Sequence, residues 1–155
     1  MNKALLGAIA ALVAIAALVA GCGGGGDTTD ETVTLTKAEF IEQGDAICKA
    51  GGDQSESEAE EFAEENGFDL EKGSEEQIEE AVAEVLVPTL RQQAEELDEL
   101  GAPEGDEEQV EAIVVSLEGA TDEIEDEPGL VFEEEVFDEP NELAQAYGFE
   151  VCGEE

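Results

Sequence analysis

Three cysteines are the residues of this sequence whose type and spacing could do chemistry: Cys22, Cys48 and Cys152. Cys22 follows Ala20 and Gly21 at the end of an apolar run and is itself followed by Gly23 to Gly26. A signal peptidase that cuts beside an acylated cysteine holds the chain extended in a narrow site, so it needs small side chains before the thiol. Cys22 is therefore expected to carry a diacylglycerol, with palmitate-type chains, and to become the first residue of the mature form. Cys48 and Cys152 are the two thiols left over. An even remainder in an exported chain implies a disulfide, because exported proteins meet an oxidising medium. Thiol exchange is the competing use, but redox-active pairs usually sit as Cys-x-x-Cys, and these two are far apart in sequence.

Other chemistry is poorly supplied. The chain has no histidine, which removes Ser-His and Cys-His nucleophile systems and the Glu-x-x-His ligand set of di-iron bundles. Ser55, Ser57, Ser74 and Ser116 have no lysine base beside them. Paired carboxylates can act as acid and base, yet among 44 Asp and Glu any two pair by chance. No catalytic, cofactor-binding or metal residue is assigned, and no enzyme activity is expected. Asp53 to Glu64 places oxygen side chains at positions 1, 3, 5, 9 and 12 of an EF-hand-like loop. It lacks the glycine that the turn at position 6 requires, so an acidic loop running into a helix is the competing reading. Glu95-Glu96 and Glu133-Glu134-Glu135 read as solvated faces holding diffuse cations.

The segments that must deliver these cysteines can be read in order. Met1-Asn2-Lys3 precedes an apolar stretch from Ala4 to Ala20, the layout of a secretory signal. A membrane anchor is the alternative, at the low edge of the roughly 17–25 residues a span needs. The expected organisation is a lipoprotein signal peptide at 1–21, a glycine-rich tether at 22–32 that behaves as a coil, and one acidic domain at 33–155. Four basic residues, Lys37, Lys49, Lys72 and Arg91, face all 44 carboxylates in the mature part. A phosphate backbone is bound through lysine and arginine, so nucleic acid is excluded as a partner. Anionic headgroups repel the domain as well, leaving the lipid on Cys22 as the membrane contact. So much like charge also implies that screening salt favours the compact state, and a saline or alkaline habitat.

Within the domain, Thr36 and Glu39 form a capping box and Leu35 with Phe40 a hydrophobic staple. Ile41, Gly44, Ile47 and Cys48 recur at helical spacing, which puts Cys48 on a buried face. Gly51-Gly52 is expected to end this helix, and Ser57 with Glu60 to open a short second one that stops at Asn66-Gly67. Ser74 and Gln77 cap a long stripe from Ile78 to Leu100 that ends at Gly101, with a kink at Pro88. Asp106 and Gln109 cap another helix, from Val110 to Ile124, that ends at Pro128-Gly129. Leu130 to Phe137 is open between helix and strand. Its Phe132, Val136 and Phe137 either line the core or form an apolar patch for a partner. Pro140, Leu143, Ala144, Tyr147 and Gly148 indicate a last helix, after which Phe149 to Cys152 returns to the first. The expected fold is all-α, a small antiparallel bundle of about four main helices closed by one disulfide.

The stretch Thr36-Lys37-Ala38-Glu39-Phe40-Ile41 followed by Asp45-Ala46-Ile47-Cys48, and the end from Ala144 through Tyr147-Gly148 to Cys152-Gly153, resemble a group of small uncharacterised actinobacterial lipoproteins. The resemblance covers both ends of the domain. It implies a helical lipoprotein domain closed by the cysteine pair, and carries no activity. The Gly51-Gly52 break and the glutamate excess depart from that group's pattern. The resulting expectation is a lipid-anchored, extracytoplasmic binding or structural module on the cell membrane, facing an envelope protein partner. The alternative is a low-affinity divalent-cation module.

Overall fold

In the computed structural model, which describes residues 34–153, the first helix starts where its capping box places it. Thr36 Oγ1 accepts from the Glu39 amide at 3.3 Å, and the Glu39 carboxylate accepts from the Thr36 amide at 3.0 Å. The Thr36 hydroxyl, which donates to the same carboxylate at 2.7 Å, and then the Thr36 amide favour the ionised form and hold the Glu39 carboxyl below its ordinary range. Helix α1 then runs from Lys37 to Asn66 without interruption. The expected stop at Gly51-Gly52 and the second start at Ser57 are corrected here. Gly51 is buried because the Gln93 side chain of a neighbouring helix lies over it, on the space a Cβ would take. That glycine serves close approach, and a helix already held by packing tolerates its propensity cost of about 1 kcal/mol. The real stop is Gly67, left-handed at φ 75°, where the Phe68 amide reaches back to the Ala63 carbonyl at 3.0 Å.

Ser74 and Gln77 form the second capping box. From there α2 (Glu75–Ala81), a π-helical turn (Val82–Leu86) and α3 (Val87–Glu99) make one rod. Pro88 does not break it, as expected, but the accommodation is a π turn. The Val87 amide donates to the Val82 carbonyl, so one extra residue is taken up just before the position whose amide is missing. Helix α4 (Glu107–Asp126) follows Gly105. Its predicted cap is partly overturned: Asp106 stands at the N-cap but its side chain makes no capping bond, being engaged by Tyr147. Leu130 to Phe137 resolves into two 3₁₀ turns, Pro128–Phe132 and Glu134–Phe137, leading into α5 (Asp138–Tyr147). Gly148, at φ 119°, turns the chain into the C-terminal tail.

The four rods form the all-α bundle expected, with α3 packed on α4, and α1 and α5 closing around them. Two clusters make the core of the described residues. One gathers Phe40, Leu97, Ile113, Tyr147 and Phe149 with smaller neighbours from α1, α3, α4, α5 and the tail. The other is centred on Val82, Val87 and Ile124. Cys48 and Cys152 are disulfide-bonded, with Cα atoms 5.2 Å apart. Of the apolar trio, Phe132 is 54% exposed, while Val136 and Phe137 pack against the second cluster. The signal and tether predicted at 1–32, including Cys22, lie outside the described residues.

Candidate binding cleft

The C-terminal tail is fastened to α1 by more than its sulfur bridge. The Asp45 carboxylate accepts from the amides of Glu150, Val151 and Cys152 at 2.8–3.2 Å. A carboxylate that replaces water for three otherwise unmet donors makes charge-assisted bonds, stronger than neutral ones. Phe149 is buried, with its ring against Gly44 and tilted beside Phe40 and Tyr147. Gln145 donates its side-chain amide to the Gly153 carbonyl. Sequence reasoning placed the tail on the first helix but missed Asp45 as its bracket; nothing in the spacing marks that aspartate among so many.

Beside this junction lies a half-open cleft of about 530 Å³, within the range of small-molecule sites. It is lined by the disulfide, Val151 and Ala144, by Leu86, Leu90 and Leu97 of the second rod, and by Ile113, Leu117, Phe137 and Pro140. Lys49, Asp53, Gln93 and Asn141 supply the polar groups at its edge. The α1 side is what leaves the space open. Cys48, Gly52 and Ser55 face it, and the same stripe continues through Ala59 into a smaller apolar recess of about 260 Å³ that shares Ser55 and Leu86. Positions 48, 52, 55 and 59 recur at helical spacing, and every one carries a small side chain. Leu86, in the π turn of the opposite rod, lines both spaces, which lie side by side along α1 as an apolar trough.

Charge around the cleft is one-sided. Each basic side chain of the described residues already has a carboxylate: Lys37 with Asp106 at 3.8 Å, Lys49 with Asp53 at 2.7 Å, Lys72 with Asp69 at 2.8 Å, and Arg91 with Asp122 and Glu125. The two carboxylates beside Arg91 push its guanidinium pKa up. At the other end of α1, Lys37 stands 3.7 Å above the Tyr147 ring centroid, and the Tyr147 hydroxyl donates to Asp106 at 2.9 Å. Burial, with Asp106 adding to it, raises the phenol pKa.

The EF-hand-like spacing from Asp53 to Glu64 falls inside α1. On a continuous helix its carboxylates point around the axis, so they cannot wrap one ion as a loop does. No group of three or more candidate ligands converges on a metal position among the described residues. Ser55 lines the cleft, but no basic side chain is hydrogen-bonded to it; its hydroxyl donates to the Gly52 carbonyl at 3.0 Å. Ser116 donates to Ile113 within its own helix. Among the cleft residues the sequence marks Cys48 and Cys152 as a disulfide, Asp53 and Ser55 as oxygen side chains of the EF-hand-like spacing, and Phe137 as core or partner patch; it marks none of them as lining one apolar cleft. Helical periodicity marked Leu86, Leu90, Leu97, Ile113 and Leu117 as core, and could not tell a filled core from one with a gap. Comparison with protein-family models, curated proteins and solved structures found no match to this chain.

Proposed function

We propose that this chain is a lipid-anchored, extracytoplasmic binding protein without catalytic activity, which is tethered through Cys22 and presents the cleft beside the Cys48–Cys152 bridge to a ligand. The observation that carries the binding half is a half-open, mostly apolar cleft in which Cys48, Gly52 and Ser55 of α1 leave room between the Lys49 and Asp53 side chains and the leucines of the facing rod. Such a cleft has the size and lining of a ligand site, and its few polar groups include no nucleophile joined to a base. The anchoring half rests on the Ala20-Gly21-Cys22 junction after an apolar run and on the resemblance to small actinobacterial lipoproteins. The disulfide suits an oxidising compartment. Diffuse cations are the natural neighbours of the acidic surface, and the lipid provides the membrane contact that the domain's own charge would oppose.

Expression in a bacterium with an intact lipoprotein pathway tests the anchoring. The wild type should partition into the detergent phase and give an intact mass that starts at residue 22 with added diacylglycerol. Cys22→Ala should lose both. A wild-type mass that retains Met1 overturns the assignment.

A further inference from the structure

We propose that the cleft takes a cationic amphiphile, with its apolar tail along the trough of Gly52, Ser55 and Ala59 and its positive head at the mouth beside Asp53. This rests on reading the cleft as a ligand site, and adds the chemical class of the ligand. The shape supports the tail. The cleft and the smaller recess share Ser55 and Leu86, so together they form an elongated apolar channel along α1, better suited to a chain-like body than to a round one. Apolar surface of this kind is worth roughly 25 cal/mol per Å² to an apolar chain that covers it and removes it from water.

The head follows from charge. Lys49 is the one basic residue at the mouth, and Asp53 already meets it at 2.7 Å. The remaining basic side chains of the described residues are paired elsewhere. An anionic head would find no unpaired cation there and would enter the field of a chain with formal net charge −39. A cationic head is drawn in by that same field. Asp53 is available to it because the Lys49–Asp53 pair is two-thirds exposed on both sides, and exposed pairs are worth little and exchange partners readily. Glu56, one turn further along α1, lines the adjoining recess and extends the attraction along the channel. The carboxylates supply selection and the apolar channel supplies affinity.

The test uses the full mature chain, residues 22–155, oxidised and carrying Cys22→Ser so that no acyl chain of its own competes. Decyltrimethylammonium, an uncharged decyl glycol ether and decyl sulfate are titrated calorimetrically below their micelle concentrations. The expected result is saturable binding of one decyltrimethylammonium per chain, about tenfold tighter than the uncharged ether at low ionic strength. That gap should close at about 1 M salt, where the screening length falls to about 3 Å, and decyl sulfate should bind weakest. Gly52→Trp puts an indole into the mouth from a position where a Cβ meets nothing within 4 Å. It should weaken both the cation and the ether about tenfold or more, by occupying the apolar area that drives binding. Ser55→Leu provides a second block should the tryptophan disturb folding by circular dichroism. An ether that binds as tightly as the cation at low salt overturns the cationic head but leaves the cleft as a binding site. Unsaturable uptake of the cation, or saturable binding that neither substitution changes, overturns the cleft and the head together.

Discussion

The two ends of the bundle are built from the same helices but held in different ways. At the disulfide end, nine residues form one buried cluster, an aspartate brackets the tail, and rings of Phe40, Tyr147 and Phe149 meet at centroid distances of 5.5–5.9 Å. At the α2 end the buried cluster has three members, and the second half of α1 buries only Ala63 after Gly51. The difference lies in what α1 offers along its length. Where its partners come close it has Gly44 and Gly51, and where they stand away it has Gly52, Ser55 and Ala59. One uninterrupted helix therefore presents close-packed glycines at Gly44 and Gly51 and, along the neighbouring stripe from Cys48 to Ala59, the lip of a cleft.

The largest expected effect comes from removing the covalent fastening at the well-packed end. Cys48 and Cys152 are 104 residues apart, and a bridge closing a loop of that size contributes about 4–5 kcal/mol when its effect is the lost entropy of the unfolded chain. Urea unfolding of the oxidised protein and of Cys48→Ser/Cys152→Ser should differ by that amount. A loss below about 1 kcal/mol would mean that Asp45 and Phe149 hold the tail unaided, and that packing, not the bridge, distinguishes the two ends.

Next in size is a pair of glycine substitutions in the same helix, expected to act with opposite signs. A Cβ at Gly44 would meet the Phe149 ring, with Leu97 Cδ2 3.1 Å away. Both neighbours are buried, so neither can swing aside. Gly44→Ala should cost about 1–3 kcal/mol through overpacking, despite its gain in helix propensity. At Gly52 a Cβ meets nothing, and Gly52→Ala should stabilise by about 1 kcal/mol. Equal signs in urea midpoints would show that α1 is not divided between a packed and an open face.

That division explains which features could be read from the residues. Thr36/Glu39 and Ser74/Gln77 act through neighbours three positions away, so both boxes were legible, and so was Gly67 as a stop. Gly51 was misread because a glycine that ends a helix and a glycine that admits Gln93 look alike until the partner is placed. Asp106 was read as a cap because its type and position fit; Tyr147, 41 residues away, takes the side chain instead. The cysteine pairing needed only a count of thiols and a compartment. The cleft arises from what five separate segments fail to fill, and no local pattern encodes an absence of volume.

The smallest effect sharpens the comparison at the far side of the packed end, where Tyr147 joins α5 to the start of α4. The phenol is 4% exposed and donates to Asp106. Ionising it would remove that donor and set a second negative charge against the carboxylate, with Lys37 above the ring as the one cation facing it. The phenol pKa is raised in the folded state, so folding binds this proton more tightly than the unfolded chain does, whose tyrosine titrates near about 10. The stability it contributes is complete below that value and is lost as pH rises through it towards the folded value. The informative quantity is the difference from Tyr147→Phe, which keeps the ring and drops the ionisable group, so that every other titration cancels. Between pH 8 and about pH 11 the wild type should lose about 1 kcal/mol more than Tyr147→Phe in urea unfolding. Identical losses would mean that the phenol ionises as freely in the folded state as in the unfolded chain, and that the contact between α4 and α5 is as open to solvent as the cleft lip.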